Sequence, residues 1–172
     1  MPIEVFIGIG SNLDEPLQQI LKAVKALKKI SIDNSVRCST IYQSKPMGDS
    51  EQPDYLNAVA CITLPSLSNT NNSVNTSALA LLDSLQAIEN AHGRIREQHW
   101  GSRTLDLDLL VYDNATINEQ RLTVPHYGLK QRNFVIIPLA ELAPELVLPD
   151  GTSINELLNN CSKNGIKAIE SS

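Results

Sequence analysis

Residues 101–113 read GSRTLDLDLLVYD. Strict alternation places Leu105, Leu107, Leu109 and Val111 on one face of an extended strand, with Thr104, Asp106, Asp108 and Leu110 on the other. Residues two apart on a strand point the same way with Cα atoms ~6.6 Å apart. At an effective dielectric of ~20, two unit charges at that separation repel by about 2.5 kcal/mol. Desolvating each carboxylate costs several kcal/mol more. Solvent, an arginine or a divalent cation must therefore face the pair. Mg²⁺ takes one or two carboxylates and completes its shell with water and phosphate oxygens. The D-x-D spacing suits it, although other nucleotide-using enzymes carry the same spacing.

The flanks supply the second half of a polyphosphate site. Arg94, Arg96, Arg103, Arg121 and Arg132 lie close around the strand in sequence, and each guanidinium is a planar fork that matches a phosphate. No G-x-x-x-x-G-K-[ST] loop is present, which excludes a P-loop enzyme. The glycines of GIGSN (8–12) make no dinucleotide fingerprint, and a tight turn accounts for them.

Upstream, IEVFIGIG (3–10) is a short buried strand running into that turn. SNLDEP supplies polar capping residues and an early proline. Leu17, Ile20, Leu21, Val24 and Leu27 fit one face of a first helix, with four lysines mostly off it. Strands are expected over 35–43 and 55–64, separated by a Pro/Gly/Asp loop. The Asn/Ser/Thr-rich run 65–77 is expected as a flexible surface insertion. A second helix carries Ala78, Leu81, Leu82, Leu85 and Ile88 on one face, and residues 92–102 form a polar loop. Beyond the acidic strand, residues 113–115 turn the chain towards a short strand near Thr116–Ile117, and TVPHYGLKQR is irregular. A short helical stretch follows at NFVIIPLAELAP, with a last helix over 154–160. The order strand, helix, strand, strand, helix, strand predicts an α+β, ferredoxin-like βαββαβ sandwich with C-terminal additions.

The chain has 172 residues and 42% apolar content, enough for one domain with its own core. A formal charge of −5 argues against a broad basic surface for nucleic acid or anionic membrane. Cys38, Cys61 and Cys161 lack metal spacing and read as reduced thiols in packed positions. No signal sequence or membrane span is visible, so a cytoplasmic protein is expected.

These residues bring the chain close to a known family. The run His99–Leu110, HWGSRTLDLDLL, resembles the signature of the 6-hydroxymethyl-7,8-dihydropterin pyrophosphokinases of folate biosynthesis. IGSN (9–12), QPDYLNA (52–58), GRIR (93–96), RLTVPH (121–126) and PLAELAPELVLPDG (138–151) match further family segments in order. The resemblance implies transfer of pyrophosphate from ATP to the pterin hydroxymethyl group, with AMP released. It implies two Mg²⁺ ions held by Asp106 and Asp108. Arg94 and Arg96 correspond to arginines of a mobile catalytic loop, here 92–102, that folds over the phosphates, with Arg103 beside the acidic pair. For the pterin it implies stacking by Tyr55 and Phe134, edge recognition by Asn57, loop contacts from Ser44 and Met47, and closure by Trp100. For ATP it implies Gln86, Arg96, Trp100, Arg103, Leu109, Arg121, Thr123, His126, Tyr127 and Arg132.

Two positions depart from the family pattern. His99 stands where an arginine is common before the tryptophan, and Lys45 where a proline is common in the pterin loop. Among other functions, a D-x-D nucleotide-sugar glycosyltransferase explains the carboxylates but leaves QPDYLNA and the loop arginines unused. An RNA-binding ferredoxin-like module expects a basic, aromatic sheet face, which the two aspartates oppose. The expected protein is a single catalytic domain over 1–172 whose partners are ATP and the pterin, with no nucleic acid and no membrane; the sequence leaves its oligomeric state open, with a monomer favoured.

Overall fold

The computed structural model describes residues 2–45, 53–66, 71–92 and 104–169. Among these residues, eight strands and four α-helices run in the order β1 (Ile3–Ser11), α1 (Pro16–Ile30), β2 (Arg37–Cys38), β3 (Ile41–Ser44), β4 (Tyr55–Leu64), α2 (Asn71–Ala91), β5 (Asp106–Tyr112), β6 (Ile117–Glu119), β7 (Leu122–Val124), α3 (Asn133–Leu142), α4 (Ile154–Asn160) and β8 (Ile166–Ile169). The main sheet has the order β5-β1-β4-β3-β8, with β2 also on β4. Every pairing in it is antiparallel.

Period-two alternation sorts the strand residues between two cores. Val5, Ile7 and Ile9 of β1, Ala58, Ala60 and Ile62 of β4, and Leu107 and Leu109 of β5 pack with Ile20, Ala23 and Leu27 of α1 and Ala78, Leu81 and Leu85 of α2. On the opposite face, Phe6, Val59, Cys61, Leu110 and Val111 pack beneath Val135, Ile136, Leu139 and Ala140 of α3 and Ile154 of α4. Helices therefore cover both faces, and the cover on the second is formed by the C-terminal third of the chain. Among the described residues, α3 lies over only part of that face and leaves the rows at the end of β1 and the start of β5 open.

Several expectations change. Simple alternation puts Val111 with Leu109, whereas the β1–β5 register shifts between Phe6 and Ile7. That bulge sends Leu110 and Val111 together into the second core, as an extra residue in one strand must. The glycines at 8 and 10 form no turn. They lie within β1, which continues to Ser11. Residues 35–43 form two short strands rather than one; between them the Ser39 hydroxyl accepts the N–H of Val59 at 2.9 Å, replacing a ladder bond. Within the supposed 65–77 insertion, Asn71–Ser77 are the opening turns of α2. Val74 packs on the first core in helical register with Ala78, so one well-placed apolar residue makes the polar run a helix face.

Smaller corrections concern the surface. No side chain caps α1; Glu15 precedes Pro16 in a left-handed conformation. Leu17 and Leu21, placed on the buried face of α1 by sequence, are 36% and 43% exposed, because the helix turns Ala23 inward instead. The strand after β5 pairs with β7 in a separate hairpin, so TVPHYGLKQR is only partly irregular, and β8 was not anticipated. All three cysteines are free; Cys61 is buried but Cys38 is exposed rather than packed. Among the described residues, no helix is long and apolar enough to cross a membrane.

The α1 orientation is testable. Leu27→Ala, at a fully buried position, is expected to lower unfolding free energy by about 2–5 kcal/mol in urea denaturation. Leu21→Ala is expected to change it by no more than about 0.5 kcal/mol.

Candidate active site

Among the described residues, the end of the second sheet face that α3 leaves uncovered holds most of the chemistry. Asp106 and Asp108 pair directly with Gly10 and Gly8 of β1. On its other side Gly10 pairs with Asn57 of β4, and Asn57 with Tyr42 of β3. Directly paired residues of an antiparallel sheet share a face, so one row runs Asp106, Gly10, Asn57, Tyr42. Two strand spacings, about 10 Å, separate the acidic strand from the amide strand. Only glycine lies between them, and the result is a trough floored by backbone.

Neighbouring side chains lie close over both glycines. A Cβ at Gly10 would stand 3.4 Å from Asn57 Oδ1 and 3.9 Å from Tyr55 Cδ1. One at Gly8 would meet the Leu110 side chain at 3.5 Å. The amide oxygen of Asn57 and the ring of Tyr55 therefore both border Gly10. Asn57 is held in that orientation because its Nδ2 donates to Ser44 Oγ at 2.6 Å, with both groups buried.

Buried polar residues concentrate here. Of the eight in the described structure, Ser11, Asn12, Ser44, Asn57, Glu89 and Thr104 lie at or beside this end of the sheet. Ser11 Oγ donates to the Thr104 carbonyl, just before the acidic strand. Asn12 Nδ2 donates to the Pro53 carbonyl at 3.0 Å, just before Tyr55. The end of β1 thus ties down both strands that carry candidate ligand-binding side chains. Interior amides and hydroxyls are tolerated only when paired in this way.

His126 enters from the chain beyond β7. Its N–H donates to the carbonyl of Leu110, the bulged residue of β5, at 2.9 Å. Its Nδ1 accepts the Gly128 N–H at 3.1 Å, so the ring proton resides on Nε2. That nitrogen stands 3.8 Å from Asp108 Oδ1, and the ring stacks on Tyr127 with centroids 4.6 Å apart. Burial pushes the His126 pKa down and Arg132 adds to the effect, against an opposing pull from Asp106. The imidazole is therefore neutral at pH 7, a hydrogen-bond donor rather than a cation. The Arg132 guanidinium lies 5.6 Å from the Tyr127 ring centroid and 5.9 Å from that of Phe134.

Asp106 and Asp108 are each only partly buried, and no third His, Cys, Asp or Glu joins them in a metal-holding cluster among the described residues. Two carboxylates on one strand face, open on the trough side, fit a hard cation that takes its remaining ligands from water and phosphate.

A model of the family of 7,8-dihydro-6-hydroxymethylpterin-pyrophosphokinases matches residues 6–144. The chain belongs to this family. The 2-amino-4-hydroxy-6-hydroxymethyldihydropteridine pyrophosphokinase of Haemophilus influenzae is 47% identical over 156 residues, covering 91% of each chain. That of Pseudomonas aeruginosa is 42% identical over 165 residues, covering 96% of each. Among solved structures, an HPPK-DHPS in complex with substrates superposes with a TM-score of 0.64 at 13% identity. A Plasmodium falciparum HPPK-DHPS gives 0.62 at 12%. Both matches cover 92% of this chain, which spans 43% of each of those longer chains. The chain is accordingly an ATP-dependent pyrophosphokinase, which displaces the glycosyltransferase and RNA-binding alternatives.

Within this pyrophosphokinase, the expected residues fall in different places. Asp106, Asp108, Ser44, Tyr55, Asn57 and His126 border the trough or contact its lining; Tyr127 stacks on His126, and the Arg132 guanidinium lies against both Tyr127 and Phe134. Arg121 and Thr123 lie on the β6–β7 hairpin, which meets α2, the helix that carries Gln86. There Arg121 pairs with Asp83 at 2.5 Å and Asn75 donates to Glu119 at 2.8 Å. The Leu109 side chain is buried in the opposite core. Met47, Arg94, Arg96, Trp100 and Arg103 lie outside the described residues, as do the position of His99 and all but His92 of the mobile loop expected over 92–102. Sequence reasoning missed Gly8 and Gly10 as trough-forming residues, and Ser11, Asn12 and Glu89 as buried polar supports. The signal available for them was polar or side-chain-free positions inside otherwise apolar elements.

The histidine assignment predicts a titration. By ¹⁵N NMR, His126 is expected to show a neutral Nε2–H tautomer at pH 7 and a pKa below the ordinary 6.5. Because the folded value is the depressed one, the unfolded chain binds the proton first. This group therefore withdraws stability as pH falls through the unfolded value, and withdraws none above it.

Proposed function

We propose that the chain transfers the terminal pyrophosphoryl unit of ATP to the hydroxymethyl oxygen of 6-hydroxymethyl-7,8-dihydropterin, a step of folate biosynthesis. The new bond joins that oxygen to the β-phosphorus. The bond broken links the β-phosphorus to the oxygen retained by AMP, and the hydroxyl proton is released. The observation that carries this reading is the row Asp106–Gly10–Asn57, in a chain of this family. It sets an acidic pair suited to a polyphosphate-bound cation across a side-chain-free floor from an oriented amide.

Each end of the trough has its task. Asn57, fixed by Ser44, offers its oxygen to the donor edge of a flat heterocycle. Tyr55 and Phe134 supply the rings for stacking, with Met47 and Trp100 completing that pocket. At the other end Asp106 and Asp108 would hold two Mg²⁺ ions. When bound, such ions neutralise the triphosphate and set the reacting oxygens in line. Arg94, Arg96, Arg103, Arg121 and Arg132 contribute further positive charge, and Gln86, Thr123 and Tyr127 frame the nucleotide, to which Leu109 offers only its backbone because its side chain is buried in the first core. Neutral His126 donates from Nε2 to a phosphate oxygen and abstracts no proton. Orientation and charge neutralisation carry the chemistry, without a covalent intermediate. We extend the fold assignment in the same spirit: the antiparallel order β5-β1-β4-β3 supports a ferredoxin-like core, with α3, α4 and β8 as additions.

Incubation with Mg²⁺, ATP and the hydroxymethyl-dihydropterin is expected to yield AMP and the pterin diphosphate, and EDTA is expected to abolish both. ADP as the nucleotide product would overturn the reading. Asp108→Ala, at a partly exposed position, is expected to melt close to wild type by circular dichroism while turnover drops at least about 10²-fold. Near-normal turnover in that variant would remove Asp108 from the site.

A further inference from the structure

Glu89 is the one charged side chain buried in the described structure, with 2% of its surface exposed. It lies in the last turns of α2, on the helix that packs Leu81 and Leu85 into the first core. A position needed only for packing is better filled by another leucine, because an interior carboxylate loses its hydration and requires strong partners. One such partner is specific. Glu89 Oε2 accepts the backbone N–H of Leu107 at 2.8 Å.

Leu107 is the residue between Asp106 and Asp108, and β5 is the end strand of the main sheet. Its side chain points into the first core, so the two carboxylates point the other way. A backbone N–H turned off the outer edge of an end strand meets no neighbouring strand. Here the Glu89 carboxylate stands where that strand's carbonyl would be, and an anionic acceptor makes the stronger kind of hydrogen bond. The same contact joins the last turns of α2 to the early residues of β5.

From this geometry we infer that Glu89 is a positioning residue for the acidic pair. By holding the peptide between Asp106 and Asp108, it keeps both carboxylates turned to the trough against their mutual repulsion. Glu89 touches neither substrate nor cation. The inference rests on reading Asp106 and Asp108 as the cation anchors, and it assigns to α2 a part in setting cation affinity.

The test uses the full chain and two readouts other than turnover: amide hydrogen exchange at Leu107, and Mn²⁺ affinity by electron paramagnetic resonance with a non-hydrolysable ATP analogue. Glu89→Ala is expected to speed Leu107 exchange while amides of β1 and β4 keep their protection. Mn²⁺ affinity is expected to fall by about 10–100-fold, the usual cost of losing a group that orients a metal ligand. Glu89→Gln keeps an acceptor oxygen and is expected to restore both readouts. Unchanged Leu107 protection or unchanged Mn²⁺ affinity in a folded Glu89→Ala protein would overturn the inference, as would Glu89→Gln failing alongside it. If Glu89→Ala does not fold, Glu89→Asp, one methylene too short to reach, carries the same expectations. A wild-type protein that makes no pterin diphosphate would refute the proposed reaction and leave the exchange result standing.

Discussion

Two carboxylates fixed side by side on a sheet repel each other, and a fold must hold them there by other means. In this chain Leu107 and Leu109 drive the strand's other face into the core with α1 and α2, which forces Asp106 and Asp108 to the opposite side. The bulge at Leu110 then ends the alternation, so the acidic rows give way directly to an apolar cover of α3. The hydrophobic effect thus supplies what electrostatics opposes. Burying a side chain such as Leu107 is worth about 2 kcal/mol, comparable to the repulsion it must outweigh.

The remainder of the site follows from what stands beside the pair. Gly8 and Gly10 leave β1 without side chains at the two rows where the aspartates sit. A Cβ at Gly10 would stand in van der Waals contact with the amide that Ser44 orients. Ser11 and Asn12, one and two residues further on, reach the segments leading into β5 and β4. A single stretch of chain, GIGSN, therefore clears the floor of the trough and aligns its two walls. Such alignment by buried, fully paired polar groups is what catalysis by positioning requires.

Much of this was legible from residues alone. The alternation around Asp106 and Asp108 gave the strand, its two faces and the presence of an acidic pair, because period two is enforced by backbone geometry. What alternation cannot report is a change of register. Val111 was assigned to the wrong core for that reason, since a bulge depends on how two strands fit rather than on either sequence. The glycines of β1 were misread as a turn because their role lies in what they leave empty for Asn57. Asn71–Ser77 were misread because polar composition outweighed the single apolar Val74. Glu89 escaped notice because a lone glutamate late in a helix looks like solvated surface until its burial is known.

The central claim is that Asp106 and Asp108 jointly anchor the cation on the trough side of β5. Anomalous diffraction from crystals grown with Mn²⁺, a non-hydrolysable ATP analogue and the pterin tests it most directly. The account predicts metal peaks bridging those two carboxylates and the phosphate oxygens, on the face shared with Gly8, Gly10 and Asn57. Metal bound elsewhere, or an acidic pair occupied by arginine alone with the nucleotide in place, would contradict it.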